Sequence, residues 1–452
     1  MAFALAIAVG AGEARALSLS QAVIHALNTH PEIGESVSER QATKYELLQS
    51  KGRMLPEVDL EADIRQQKTR SAVDIGTPGD DTWLKGDSVT LSARQILFDG
   101  WERHYAVYKD AARLDAASLR LLGRAETTSL DVVEAYIEVR RHIDALSLAR
   151  RNVERHNEIL ARVRAQFEGG KVPLSDVNQI MSRVASAEAV VAVMQKNLLD
   201  AEAEFRHAVG LDPSGLEPVA WPGMVPGSRT EAIAMAVENN PSVRAVFADA
   251  DAADHARKEN IGSFLPEVSL EGLARQSDNI GGNPGFDDEY LGRVVLKWRV
   301  FDGMIRHNRQ NELSERFAAA RFRTEAQRRE VAETTEKAWA SLTTGRDRVT
   351  ALESQASASE KVVAAFLEEY ELSRRTLLEV LDAESLLFNA KVQLVGARSV
   401  RLFSAYQLLA SAGRLLESLG LEPPRETLAD AQARELHFVN PFDVFLEPLS
   451  PE

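Results

Sequence analysis

The amino-acid sequence predicts a mainly α-helical protein with a small membrane β part, built as two copies of one plan. Each copy is a β-hairpin followed by a long α-helical coiled-coil hairpin. Three observations predict this fold class. The two halves of the 452-residue chain repeat each other, each half has two strand-length stretches of alternating apolar and polar residues, and each then continues in seven-residue apolar repeats.

The composition fits long helices and excludes several classes of function. Hydrophobic residues make up 44% of the chain and aromatic residues only 6%. The 53 basic and 68 acidic residues give a net charge of −15. Nucleic acid is therefore an unsuitable partner, because its phosphates require clustered Lys and Arg. The absence of cysteine excludes disulfides, thiolate metal sites and cysteine nucleophiles.

The first 16 residues are small and apolar and end in Ala14-Arg15-Ala16, which resembles a signal-peptidase cleavage site. The basic stretch that normally precedes such a run is missing. Residues 1–16 are therefore either a secretory signal peptide that is truncated at its start or merely an apolar terminus, and we favour the truncated signal peptide. No later stretch reaches the roughly 18 to 20 apolar residues of a membrane-spanning helix, so entry into a membrane requires β-strands.

The internal repeat is the most informative feature of the sequence. Gly52-Arg-Met-Leu-Pro-Glu-Val58 recurs as Gly262-Ser-Phe-Leu-Pro-Glu-Val268, a displacement of 210 residues. Leu97-Phe-Asp-Gly100 recurs as Val300-Phe-Asp-Gly303, a displacement of 203, which holds as far as Gly210 and Gly413. Seven residues are therefore missing from the second copy, and we assign them to a loop.

Each copy contains one predicted β-hairpin after its Pro-Glu-Val turn. In the first copy the apolar residues Val58, Leu60 and Ile64 alternate with acidic residues, which gives one apolar and one polar face. Strands of about 8 to 10 residues cross a membrane when tilted. Four strands cannot close, and open edges in lipid leave backbone groups unsatisfied, so any barrel is shared between chains. The sequence allows two copies with eight strands or three with twelve.

The stretch after each Phe-Asp-Gly changes to a heptad pattern. In the first copy, apolar residues recur at seven-residue steps at Val132, Val139, Leu146, Val153, Leu160 and Phe167. An uninterrupted helix from 101 to 168 would reach roughly 100 Å. Heptads impose left-handed supercoiling, so the helical hairpins of neighbouring chains can wind into a tube.

These patterns together predict the domain organisation. The predicted segments are a signal peptide (1–16), a first repeat (17–228, strand hairpin about 56–98, helical hairpin about 101–210), a second repeat (229–421, strand hairpin about 266–301, helical hairpin about 304–418) and a C-terminal tail (422–452).

This duplicated plan resembles the TolC family of outer-membrane efflux and type I secretion channels from Leu17 to about Leu421. The sharpest match is Tyr370-Glu-Leu-Ser-Arg-Arg375-Thr-Leu-Leu-Glu379-Val-Leu-Asp382, which is similar to the family's periplasmic tip. The resemblance implies a homotrimer with a twelve-stranded barrel in outer-membrane lipid and a helical tunnel in the periplasm. It also implies two partners, a periplasmic adaptor (membrane fusion) protein and an inner-membrane ABC or RND transporter.

The same resemblance implies the site residues. Glu379 and Asp382 match the family's acidic gate ring at the tunnel entrance, where a trimer would gather six carboxylates, favour cations and raise carboxylate pKa values by like-charge repulsion. Asp176, Tyr370 and Arg375 match its closed-state latch. The family usually has Gly and a small residue in place of Ser373-Arg374, so this tip departs from its pattern.

No catalytic, cofactor or metal-binding motif is present, so the chain is not expected to be an enzyme. Two classes of function remain, a passive conduit and a non-conducting coiled-coil spacer of the envelope. Within the conduit class the cargo is protein in type I secretion or small molecules in drug efflux. The lack of a lipid-attachment cysteine favours the secretion members.

Overall fold

A computed structural model describes residues 16–70, 81–280, 284–372 and 374–428. Nearly all of the signal peptide expected at 1–16 lies outside this part of the chain, and so do Ser373 and tail residues 429–452. No helix within the described residues combines the length and the apolar character needed to cross a membrane.

The order of elements repeats once along the chain, which confirms the duplicated plan. The first copy consists of α1 (Leu19–Thr29), α2 (Pro31–Gly52), β1 (Glu57–Lys68), β2 (Trp83–Phe98), α3 (Glu102–Glu168) and α4 (Leu174–Val209). The second consists of α5 (Arg229–Asn239), α6 (Pro241–Gly262), β3 (Glu267–Asp278), β4 (Phe286–Lys297), α7 (Ile305–Glu371) and α8 (Leu377–Ser411). A short α9 (Leu415–Ser418) and a 3₁₀ turn (Arg425–Thr427) follow.

Helices α3 and α7 are both 67 residues long, or about 100 Å at 1.5 Å per residue. The equivalent glycines Gly210 and Gly413 have positive φ angles of 80° and 65° and follow the ends of α4 and α8. Glycine adopts this left-handed conformation without steric penalty. The glycines that mark the ends of the two sequence repeats therefore end equivalent helices.

Within the described residues, four strands form one antiparallel sheet in the order β1-β2-β3-β4. Its register places all the alternating apolar residues on one face, because directly opposed residues share a face. Leu60 lies opposite Leu91, Leu91 opposite Ala274, and Ala274 opposite Tyr290. This apolar face is open: Leu60 is 72% exposed and Tyr290 81%. The connection from β1 to β2 is seven residues longer than that from β3 to β4, which places the sequence gap in a loop.

The Phe-Asp-Gly motif forms the junction between the sheet and the long helix. Gly100 has a φ of 68°, and a Cβ atom there would lie 2.6 Å from the carbonyl oxygen of Gly262, so no other residue fits. The Asp99 carboxylate accepts from the Arg103 backbone N–H at 3.2 Å and from its Nε at 2.6 Å. The Arg103 guanidinium also donates to the Ile96 carbonyl at 3.0 Å. The motif therefore caps α3 and ties its first turn to β2.

The described residues group into two compact units. One comprises 16–37, 119–244 and 326–428, and its core surrounds Tyr136, whose hydroxyl lies 2.7 Å from the Leu17 carbonyl oxygen. The other comprises 38–118 and 245–325 and contains the sheet. The first unit also contains both turns at the ends of the long helices, where the sequence predicts the gate and the latch.

Candidate functional site: the two helical tips

The first helical tip joins α3 to α4, and the second joins α7 to α8. At the first, Gly170 has a φ of 70°, and α4 begins after Pro173, which supplies no side-chain cap. At the second, Thr376 caps α8, and its hydroxyl accepts from the Glu379 backbone N–H at 3.4 Å. The two tips therefore start their return helices by different means.

An apolar cluster positions both tips. It contains Ile159, Leu160 and Val163 from α3, Val177, Ile180 and Val184 from α4, and Leu377, Val380 and Leu381 from α8. All nine side chains are buried, and each Val, Leu or Ile contributes about 1.5–3 kcal/mol when fully buried. This packing brings α4 and α8 together beside the predicted acidic residues.

Glu379 performs a structural role within its own chain. Its carboxylate accepts from the Thr376 backbone N–H and from the Thr376 hydroxyl, both at 2.9 Å, which completes a capping box. Arg375 donates to the same carboxylate at 2.8 Å. The Thr376 N–H, Arg375 and the Thr376 hydroxyl together lower the pKa of Glu379 to about 2. Within one chain the shift is therefore opposite to the rise that a ring of like charges would produce.

Asp382 also has a cationic partner. The Arg183 guanidinium on α4 lies 2.9 Å from an Asp382 carboxylate oxygen on α8. This pair joins the first helical hairpin to the second, and both side chains are partly exposed, 39% for Arg183 and 56% for Asp382. Each of the two predicted gate acids is therefore compensated by a cation of the same chain.

Arg375 is held by three groups of its own chain. Its Nε lies 2.7 Å from a Glu369 carboxylate oxygen and its Nη1 2.8 Å from Glu379. The guanidinium carbon lies 4.1 Å from the centre of the Phe366 ring, a cation–π contact. Asp176 is not among the ion-pair partners of Arg375 in the described chain, so the structure brings Arg375 to Glu379 rather than to Asp176.

Tyr370 connects the two tips. Its hydroxyl donates to the Gln166 side-chain oxygen of α3 at 2.9 Å. Burial and the nearby carboxylate of Asp176 raise the pKa of Tyr370. Tyr370 and Asp176 are therefore close enough to interact electrostatically, as two members of the predicted latch.

Sequence reasoning missed three charged residues of this site. Arg183 follows Asp176 by one heptad step, a signal that places both on one face of α4. Glu369 precedes Tyr370 directly. Glu384 on α8 is buried and pairs with Arg155 on α3 at 2.9 Å, although nothing in its local sequence distinguishes it from an exposed acid. No cluster of three or more metal-ligating side chains occurs among the described residues.

The repeated hairpins and the paired helical tips define a class of protein: membrane channels in which β-hairpins continue into long helical hairpins. The family described as "Outer membrane efflux protein" matches residues 23–211 and 232–414. The chain belongs to this family. It is a transport protein of the outer membrane and not an enzyme.

Individual proteins agree with this assignment. The chain is 26% identical over 348 residues to the outer membrane efflux protein BepC of Brucella suis, covering 76% of each chain. It is 22% identical over 421 residues to the outer membrane protein TolC of Escherichia coli, covering 89% of this chain and 83% of TolC. The crystal structure of VceC from Vibrio cholerae superposes with a TM-score of 0.75 at 18% identity, covering 90% of this chain and 97% of VceC. These similarities confirm the predicted TolC-like fold.

Proposed function

We propose that three copies of the chain form the exit duct of a type I secretion or efflux system. The duct passively conducts cargo that an inner-membrane transporter and a periplasmic adaptor protein hand over. The observation that carries this proposal is the sheet. It offers an apolar face to lipid, and both of its outer strands lack a neighbour within the described chain.

The requirement for several copies follows from the chemistry of the bilayer. Each unsatisfied backbone group in hydrocarbon costs several kcal/mol, so a sheet in lipid must close on itself. The four strands of the described chain require partner chains to close, and three copies supply twelve strands around a passage. The polar face, with Asp63 beside Ser88 and Glu271 beside Arg293, then lines that passage.

The helical tips are the proposed gate of the duct. Glu379 and Asp382 from three copies supply six carboxylates, and Asp176, Tyr370 and Arg375 supply the latch. The contacts inside one chain support a closed state in which Arg375 and Arg183 hold the acids. Exposed pairs of this kind contribute little to stability because solvent screens them, which suits contacts that a docking partner must release.

Ion selectivity in a planar bilayer tests the gate. Under a salt gradient, the wild-type pore should favour cations, and Glu379→Ala/Asp382→Ala should lose most of that preference because the carboxylates set the local potential. Glu154→Ala/Glu188→Ala is the matched control, since it removes two exposed helical acids away from the tips. Equal selectivity of the wild type and the gate variant would contradict the assignment.

The two cargo classes are separated by deleting the gene in its own host. Loss of a secreted protein from the medium indicates type I secretion, whereas accumulation of a fluorescent dye inside the cells indicates small-molecule efflux. If the deletion strain shows neither defect, and the protein purifies from the undeleted strain without detergent, the coiled-coil spacer is supported instead.

A further inference from the structure

The two β-hairpins place equivalent charged residues at equivalent positions of their registers. In the first hairpin Glu57 lies opposite Arg94. In the second, Glu267 lies opposite Lys297. Glu267 is the repeat of Glu57 at a displacement of 210, and Lys297 is the repeat of Arg94 at 203. The structural registers and the sequence repeat therefore agree residue by residue.

Within the chain, an ion pair joins one hairpin to the other. Arg94 on β2 lies opposite Glu271 on β3. Its guanidinium lies 2.6 Å from a carboxylate oxygen of Glu267 and 3.8 Å from one of Glu271. Arg94, on the last strand of the first hairpin, therefore bridges Glu267 and Glu271. These two glutamates lie four residues apart on the first strand of the second hairpin.

The two outer strands of the sheet carry the repeats of these residues, with the cation on β4 and the two glutamates on β1. Lys297 on β4 repeats Arg94, while Glu57 and Glu61 on β1 repeat Glu267 and Glu271. All three residues are exposed, and none of them forms an ion pair within the described part of the chain. A second copy of the chain would bring β1 beside β4 in the antiparallel sense that every internal pair already has.

We infer that Lys297 of one copy clamps Glu57 and Glu61 of the next copy and so sets the register of the seam between chains. In this register Lys297 lies opposite Glu61, as Arg94 lies opposite Glu271 inside the chain. The occupant of the β4 edge is thus a second copy, selected by charge complementarity on the polar face. The inference rests on the proposed duct, and it adds the residues that align its subunits.

The register matters because a strand can slip. A shift by one residue would turn every lipid-facing side chain of β1 toward the polar passage. A shift by two keeps the faces but places Lys297 opposite Asp59 or Asp63, so the contact no longer repeats the bridge from Arg94 to two glutamates four residues apart. Repetition of the internal bridge therefore favours the register with Lys297 opposite Glu61 among those that the apolar pattern alone allows.

Disulfide trapping tests the register directly, because the chain has no cysteine of its own. Opposed residues of antiparallel strands have Cα atoms about 4.5–5.5 Å apart, within the range that a disulfide spans. Under mild oxidation, Lys297→Cys/Glu61→Cys should form a ladder of covalent oligomers on a non-reducing gel. Lys297→Cys/Arg65→Cys, displaced by four residues on the same face, should not. Stronger crosslinking of the Arg65 pair would overturn the clamp.

Charge reversal tests the electrostatic part. Lys297→Glu should lower the temperature at which the oligomer dissociates in SDS, and Lys297→Glu/Glu61→Lys should restore it. Such rescue identifies a contact between copies, because β1 and β4 lie at opposite edges of one sheet. Lys361→Glu, an exposed helical lysine, is the control for net charge. Absence of rescue would overturn the inference.

Conductance separates failure of the clamp from failure of the duct. If the pores conduct but the Lys297→Cys/Arg65→Cys variant crosslinks more strongly, the proposed clamp is wrong and the proposed duct still stands. Absence of both crosslinked oligomers and conductance overturns the clamp together with the proposed duct.

Discussion

Charge compensation at individual residues decides how the proposed gate behaves. Asp382 is held by Arg183 across two helices, and Glu379 is held by Arg375 and its own capping box. In the compensated state the field of the carboxylates is weakened. Any movement that separates α4 from α8 removes Arg183 from Asp382 and strengthens that field.

Removing Arg183 should therefore alter selectivity without altering the fold. We expect Arg183→Ala to increase the cation preference of the pore, because Asp382 then lacks its counter-ion. Arg183→Ala/Asp382→Ala should reverse the increase, whereas Arg164→Ala, an exposed arginine on α3, should have no effect. Reversal potentials in a salt gradient measure the change. A lower cation preference in Arg183→Ala would contradict this role.

Glu126 is a second residue whose charge has consequences. It is buried, with 5% of its surface exposed, and its carboxylate accepts from the Leu415 backbone N–H at 3.0 Å and from the Leu416 N–H at 3.4 Å. Burial raises the pKa of Glu126 to about 7, although these two hydrogen bonds act in the opposite direction. The folded protein therefore holds a proton that the unfolded chain releases at lower pH.

The sign of the pH effect follows from that proton. Between about pH 4.5 and pH 7 the folded state binds more protons than the unfolded state, so stability should fall as pH rises and then level off. The full effect is on the order of 3 kcal/mol. Glu126→Gln should flatten the dependence, and Glu154→Gln should not. Thermal midpoints at pH 5 and pH 8 measure it, and an unchanged slope in Glu126→Gln would contradict the account.

The residues of the tips could be predicted only in part. Resemblance in sequence provided Asp176, Tyr370, Arg375, Glu379 and Asp382. The heptad step places Arg183 on the same face of α4 as Asp176, but its pairing with Asp382 could not be predicted, because that pairing depends on how α4 packs against α8 over the apolar cluster. The Arg375 partner Glu369 was also missed, since a run of acidic residues gives no indication of which one turns toward a cation.

The junction between the sheet and the long helix has the same contacts in both copies. Asp302 and Arg306 repeat the Asp99–Arg103 pair, with 2.7 Å between Arg306 Nε and the Asp302 carboxylate. Arg306 also donates to the Ser263 carbonyl at 2.7 Å, as Arg103 donates to Arg53 at 3.2 Å. Each junction therefore ties the start of the long helix, through one arginine, to the turn that precedes the first strand of its hairpin.

Substitution at the first junction should weaken the protein locally. Asp99→Ala removes a helix cap and the charged partner of Arg103, and it should cost about 1 kcal/mol or more in stability. Asp99→Asn keeps an acceptor for the Arg103 N–H and should lose less. Asp347→Ala, an exposed acid on α7, is the control. We expect the thermal midpoint to be lowest for Asp99→Ala, higher for Asp99→Asn and highest for Asp347→Ala. Equal midpoints for Asp99→Ala and Asp347→Ala would contradict the capping role of Asp99.

The elements themselves were largely predictable, because alternation and heptads report directly on burial. The strands, the long helices and the shortened second loop follow from the repeat. Strand order and register between the two hairpins could not be predicted, since they depend on contacts nearly 200 residues apart in sequence. The ion pair between Arg94 and Glu267 is one of these long-range contacts.

The proposed duct is one gated passage that several copies of the chain build together. The chain supplies an open sheet with an apolar face and a pair of helical tips with compensated acids. Both outer strands of the sheet lack a neighbour within the described chain, and Asp176, which the resemblance assigns to the latch, has no ion-pair partner among the described residues. The proposed duct and its closed state therefore both depend on assembly.

Single-channel conductance of the purified oligomer in a planar bilayer tests whether the protein forms this gated passage. We expect small, infrequent openings for the wild type and a several-fold larger conductance for Asp176→Ala/Arg375→Ala, in which the proposed latch is removed. Larger openings in the latch variant, with no change in Glu154→Ala/Arg164→Ala, would establish a gated duct. If neither protein conducts after insertion into the bilayer, the chain does not form a passage.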